Sequence, residues 1–162
     1  MPTYVCMVCG KKLNAGQKRE IAAEITRAHS ERTGAPRSFA QVIFAEAGAG
    51  DHFIGGAFAR EAQVFVRGDI RAGRSAEVKR GLVEDILSGV SRITGIAATR
   101  VWVYLNELPA GQMAEYGRVL PEPGAEAEWM AALPEDVREG MAAAGRGAGD
   151  RRRGTRRRRS RR

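Results

Sequence analysis

Two amphipathic stretches, each framed by short apolar runs, organise this chain. Between residues 15 and 33, Ile21, Ile25, Ala28 and His29 recur at the three- and four-residue spacing that lines up side chains on one face of a helix. Between 75 and 93, Val78, Leu82, Ile86, Val90 and Ile93 do the same. Asn14 and Ser75 stand where a side-chain oxygen caps a helix start, and Gly34 and Gly95 stand where a left-handed residue ends one. Runs rich in β-branched and aromatic residues at 2–8 and 39–46 flank the first helix, and runs at 63–69 and 99–106 flank the second; these predict strands. Each half reads strand, helix, strand.

The halves are a repeat. Sliding the chain by 61 residues aligns 2–46 with 63–107 without a gap, with ten identities in 45 positions, among them Lys18/Lys79, Ser30/Ser91, Thr33/Thr94 and Glu46/Glu107. A strand, crossover helix and returning strand in one sheet form a right-handed βαβ unit. Two such units side by side predict an α/β fold, a four-stranded sheet with both helices on one face. Trp102 and Tyr104 share one side of the last strand while Val101, Val103 and Leu105 share the other, so the face away from the helices is apolar too. Such a face needs a cover, and oligomerisation is expected. In this alignment Pro2 faces Gln63, His29 faces Val90, and Arg71 and Arg74 face Gly10 and Leu13. The polar candidates break the symmetry, as expected when one of two equivalent pockets keeps its chemistry.

Length and composition agree with one domain. At 162 residues and 43% hydrophobic, the chain holds one real core, assigned to 1–144: the two units plus a C-terminal segment, 108–144. The formal charge of +8 is local. Ten arginines and one acid fall in 146–162, which leaves the body at −1. The tail 145–162 has no apolar residue larger than alanine and is expected to be disordered. It reads either as a loose, salt-sensitive contact for nucleic acid or other polyanions, or as a solvated extension. No run approaches the ~18 apolar residues that span a bilayer, and no basic segment followed by an apolar one opens the chain, so a cytoplasmic protein without a membrane contact is expected.

Pro2 carries the sharpest chemical signal. If Met1 is trimmed, as is usual before a small residue, the chain begins with a secondary amine, able to act as acid, base or nucleophile once its surroundings tune it. Arg71-Ala72-Gly73-Arg74 precedes the second helix and places two guanidinium groups near the positive end of that helix, a fitting place for a small carboxylate. His29 ends an apolar stripe, where a histidine serves either as a packed core residue or as a ligand. Tyr104 lies mid-strand, where aromatics usually pack, and Glu115 could be a surface acid paired with Arg118. Cys6 and Cys9 lack two further ligands at zinc spacing, and three apart on a strand they point to opposite faces; buried, reduced thiols are expected. The glycine-rich run at 48–56 lacks the order of a nucleotide fingerprint and reads as a flexible connector.

Taken together, the proline after the initiator, the tandem βαβ units, Ala28-His29, Arg71-Ala-Gly-Arg74, Trp102-Val-Tyr104 and Met113-Ala-Glu115-Tyr-Gly-Arg118 resemble the tautomerase superfamily. Within it they resemble the cis-3-chloroacrylic acid dehalogenase group. The resemblance extends over about 2–140, through Leu120-Pro-Glu-Pro-Gly124 and Trp129, and leaves the tail outside. It implies a homotrimer that needs no metal and no organic cofactor. It implies roles as well: Pro2 as the general acid that protonates the carbon beside a carboxylate, Arg71 and Arg74 with His29 as carboxylate binders, and Glu115 with Tyr104 as the water-activating pair. The implied reaction is hydration or dehalogenation of a small α,β-unsaturated carboxylate, a cis-3-haloacrylate or an acetylenic acid. The group's Thr-Gly-Thr is Thr33-Gly34-Ala35 here, and Phe39 replaces a leucine, which reshapes the pocket wall. Two other functions stay open: keto–enol tautomerisation of a 2-oxo acid, which needs Pro2 but not Glu115, and, outside enzymes, polyanion binding through the tail.

Overall fold

In a computed structural model, which describes residues 2–48 and 50–147, the chain runs β1 (Thr3–Cys9), α1 (Ala15–Thr33), β2 (Gln41–Ala47), β3 (Phe53–Ile54), β4 (Ala57–Phe58), β5 (Gln63–Arg71), α2 (Ala76–Thr94), β6 (Val101–Leu108), β7 (Ala114–Glu115), β8 (Arg118–Val119), α3 (Glu126–Ala131) and α4 (Glu135–Gly147). The caps work as their residue types require. The Asn14 side chain accepts from the Gln17 N–H at 2.9 Å while Gln17 accepts from the Asn14 N–H at 3.2 Å; Ser75 accepts from the Val78 N–H at 3.2 Å. Gly34 and Gly95 end the helices at φ of 75° and 70°, a conformation that costs other residues strain.

The sheet order is β2-β1-β5-β6, parallel within each βαβ unit and antiparallel where β1 meets β5. Tyr4, Cys6 and Val8 of β1 and Val64, Val66 and Ile70 of β5 face both helices and bury against Ile21, Ile25, Leu82, Ile86 and Val90. Each of these apolar side chains contributes about 1.5–3 kcal/mol by leaving water. The matched pairs Lys18–Glu46 and Lys79–Glu107 lie at the surface, where solvent screening leaves an ion pair little net effect. The stripes therefore seat the helices, and the ion pairs trim them. Repeat identities make repeat contacts: Ser30 and Ser91 donate to the carbonyls of Ala35 and Ile96, and Thr33 and Thr94 to those of His29 and Val90.

The ungapped alignment slips by one residue in one place. Thr3 pairs with Gln41, whereas Phe65 pairs with Trp102, so β1 and β5 are related by 62 residues while the helices and the outer strands are related by 61. The connection from β5 to α2 is one residue shorter than that from β1 to α1. The structural counterpart of Pro2 is thus Val64, not Gln63, and Val5 lies on the opposite sheet face from Val66. Neither counterpart offers an amine, so the broken symmetry stands. Strands β2 and β6 begin two residues later than the apolar runs predict, because Arg37–Phe39 and Ala98–Arg100 each wind into a single 3-10 turn. Strand β5 extends to Arg71, so this arginine sits on a strand end rather than in the turn.

The connector at 48–56 forms one arm of a tight hairpin, β3 against β4, turned by Gly55 and Gly56. Residues 108–144 hold a second core in which Met113, Leu120, Trp129, Leu133 and Met141 bury together with Phe39 and Leu108 packed on them. Helix α4 reaches Gly147, three residues into the stretch expected to be disordered; the rest of the tail lies outside the described residues. Cys6 and Cys9 are buried free thiols, as expected, and burial pushes the Cys6 thiol up to about 12. Among the described residues no helix is long and apolar enough to cross a membrane.

Candidate active site

Topology gathers the candidates at one end of the sheet. The antiparallel register sets Thr3 opposite Asp69, so the start of β1 lies beside the end of β5 and Pro2 comes next to Arg71. Helix α1 returns antiparallel to β1, which brings His29 back to the same end. A cavity of about 320 Å³ is lined by Pro2, His29, Arg71 and Arg74, with Thr33, Gly34, Ala35 and Phe39 on its wall and Leu120, Pro121, Glu126 and Trp129 closing it from the C-terminal segment. Ala35 and Phe39, the two departures from the group's pattern, are therefore wall residues. A second space of about 710 Å³ is lined by Glu115 together with Pro2, Thr3, Gln41 and Asp69. Pro2 and Phe39 belong to both.

His29 is a buried, neutral ring. Its Nδ1 lies 2.8 Å from the hydroxyl of Tyr4, which is itself fully buried and whose ionisation burial opposes. A hydroxyl hydrogen needs an acceptor, and the arrangement that satisfies both groups has Tyr4 donating to Nδ1 with the ring proton on Nε2. That leaves Nε2–H as the donor available to the cavity. Tyr4 was not singled out by sequence reasoning, although it shares the core face of β1 with Cys6 and Val8. Gly68, its partner across the sheet, makes the space: a Cβ there would lie 2.5 Å from the Tyr4 ring.

Burial first, then Arg74 and the positive amino terminus, push His29 down to about 4 from its ordinary 6.5. The depressed value means that its contribution to stability is complete above pH 6.5 and is withdrawn as pH falls toward 4. The paired carboxylates Glu24, Asp85 and Glu126 are held below their ordinary range and lose their contribution only at lower pH. Urea unfolding at pH 7 and pH 5 is expected to differ by about 2 kcal/mol, and His29→Gln, which does not titrate, is expected to remove that difference. Equal wild-type stabilities at the two pH values would contradict the assignment.

The two arginines are not equivalent. Arg71, at 12% side-chain exposure, donates from one terminal nitrogen to the Pro121 carbonyl at 2.8 Å and from the other to the Glu126 carboxylate. Arg74 has no acidic side-chain partner among the described residues, and its charge is felt at His29. Glu115 ends β7, at a two-residue turn whose Tyr116 and Gly117 both have positive φ, 52° and 77°. Burial raises its carboxyl above the ordinary range, opposed by the positive amino terminus. Arg118 pairs with Glu115 in backbone register but donates its side chain to the Ala132 carbonyl at 2.9 Å. Tyr104 lines neither space. It is 55% exposed on the sheet face away from the helices, edge-on to Phe65 at 5.0 Å and one strand residue removed from exposed Trp102. Four of the six candidates thus meet in one cavity, Glu115 joins Pro2 in the next, and Tyr104 stands apart on the open face.

Residues 1–133 match the family model Tautomerase_3, described as "Putative oxalocrotonate tautomerase enzyme". Among solved structures the chain is similar to N1, a member of the cis-3-chloroacrylic acid dehalogenase family, at 38% identity and a TM-score of 0.81, covering 87% of this chain and 99% of that one. It is similar to native Ps01740 at 32% identity and a TM-score of 0.66, covering 70% and 99% of the two chains. A fused 4-OT symmetric trimer shares the fold at 23% identity and a TM-score of 0.67, covering 73% and 94%. Among curated proteins no sequence matches significantly.

Proposed function

The chain belongs to the tautomerase superfamily and, within it, to the cis-3-chloroacrylic acid dehalogenase-like group, and from that membership we infer that it is a cofactor-independent enzyme adding water to a small α,β-unsaturated carboxylate. The observation that carries this reading is the position of Pro2, shared between a cavity lined by Arg71, Arg74 and His29 and a space lined by Glu115. A carboxylate held by the arginines and His29 draws electron density away from its β-carbon, which becomes electrophilic. Glu115 takes a proton from water as the oxygen attacks there, and the Pro2 ammonium delivers a proton to the α-carbon. With a β-halogen the adduct loses halide and leaves an aldehyde; with an acetylenic acid the product is a 3-oxo acid.

The reading includes a homotrimer. The face away from the helices exposes Met7, Ile43, Trp102 and Tyr104 at 38–55%, an apolar surface that copies of the chain would cover. Thr3 and Asp69, which line the Glu115 space, lie on that same face, so a docked copy would bring its own side chains to the mouth of the space. Tyr104 then partners Glu115 of a neighbouring copy.

A second reading, keto–enol tautomerisation of a 2-oxo acid, is favoured by the separation of Tyr104 from Glu115 within one chain, since it needs the Pro2 amine and not the pair. Intact mass measurement followed by proton NMR with cis-3-chloroacrylate, propiolate and an enolpyruvate-type acid separates the two. Hydration of either of the first two by protein lacking Met1 is expected; turnover of the enol acid alone would transfer the assignment to the second reading.

A further inference from the structure

We propose that Glu126 makes this cavity selective for monocarboxylates by occupying Arg71, so that Arg74 alone remains to neutralise a substrate carboxylate. The inference rests on the reading of the arginine cavity as a carboxylate site and goes beyond it to the charge of the acid admitted. Glu126 is built into its place. One carboxylate oxygen accepts from Arg71, and the other accepts from the Gly124 N–H at 2.8 Å, in a turn where Gly124 has a φ of 100°. Arg71 is fixed in turn by the Pro121 carbonyl. Pairing of a guanidinium with a carboxylate is the interaction a substrate would otherwise make, and here a side chain from 55 residues away takes one terminal nitrogen of Arg71 while the Pro121 carbonyl takes the other.

The charges around the cavity then nearly cancel. Arg71 is opposed by Glu126, His29 is neutral at ordinary pH, and an ammonium on Pro2 is opposed by Glu115 in the adjoining space. Among the described residues the Arg74 guanidinium has no acidic side-chain partner, since Glu107, which accepts from the Arg74 backbone N–H, is paired with Lys79. A monocarboxylate balances that guanidinium, whereas the second carboxylate of a diacid meets Glu126 and is repelled. The same anion separates the roles of the arginines: Arg74 carries the ionic attraction, and Arg71 supplies its remaining N–H groups from a fixed orientation.

The test compares calorimetric binding of acrylate and of maleate, the cis-diacid of similar width, at one ionic strength and at pH 7.5. Wild-type protein is expected to bind acrylate at least about tenfold more tightly than maleate, the scale of one partly screened charge. Glu126→Gln keeps one oxygen, for either Arg71 or the Gly124 N–H, and loses the charge, and is expected to move the ratio toward maleate by about tenfold or more. Glu126→Asp keeps the charge and is expected to keep the preference. Maleate binding to wild type as tight as acrylate binding overturns the proposal without any variant, as does an unchanged ratio in folded Glu126→Gln; in both cases the carboxylate site itself stands. Failure of acrylate to bind wild type at all overturns the carboxylate reading and this inference with it.

Discussion

Pro2→Ala is expected to lower kcat/KM for hydration of propiolate or cis-3-chloroacrylate by about 10²–10⁴-fold, the span that one positioned acid or base usually contributes. The alanine variant still begins with an amine, but loses the ring that holds the nitrogen in one direction where the two spaces meet. Pro2→Leu goes further, because a bulky second residue keeps Met1 in place and turns the position 2 nitrogen into a neutral amide that cannot serve as an ammonium acid. Complete loss is expected there. Both variants leave Arg71, Arg74 and His29 in place, so acrylate binding is expected to survive within a few-fold. Intact mass identifies the first residue of each preparation, and proton NMR follows the vinyl signals. Activity within tenfold of wild type in the alanine variant, or wild-type activity in protein that retains Met1, would remove Pro2 from the mechanism.

The two βαβ units were legible because their signals reinforce one another. Apolar spacing, the caps Asn14 and Ser75 and the glycines Gly34 and Gly95 all agree on the same helices, and the folded helices match them to within a residue. The repeat also told which residues were unusual, even though its offset slips by one in β1. A slip of one residue exchanges sheet faces, and only the pairing of Thr3 with Gln41 beside that of Phe65 with Trp102 reveals it. A gapless alignment has no means of registering a connection shortened by one residue.

What stayed hidden was either short or long-range. Strands of two residues and the six-residue α3 hold too little periodicity to register, so residues 108–144 offered motifs but no elements, although four of their side chains close the cavity. The Tyr4–His29 contact spans 25 residues and the Arg71–Glu126 contact 55, and no local pattern joins such pairs. The second matters most for function. From spacing alone Arg71 and Arg74 were two like members of a clamp, whereas folding gives the Arg71 guanidinium a carboxylate and, among the described residues, gives the Arg74 guanidinium none.

Glu115→Gln is expected to abolish water addition by about 10²–10⁴-fold while leaving tautomerisation of an enol acid within a few-fold, because only the former needs a base for water. Burial raises the Glu115 carboxyl, so the acid limb of the wild-type rate profile is expected above the ordinary glutamate range, with activity falling as the base is protonated. Tyr104→Phe is expected to impair the same step, although Tyr104 lies 55% exposed on the open sheet face and lines neither space in its own chain. These positions are compatible if the pair forms between copies. Glu115→Gln and Tyr104→Phe subunits, each nearly inactive alone, should then complement when unfolded together and reassembled. At equal amounts about a quarter of the sites in a closed trimer combine an intact Glu115 from one copy with an intact Tyr104 from the next. Recovery of about a quarter of wild-type hydration would place the two residues on different chains, and no recovery from mixed trimers verified by mass would leave Tyr104 outside the water-activating step.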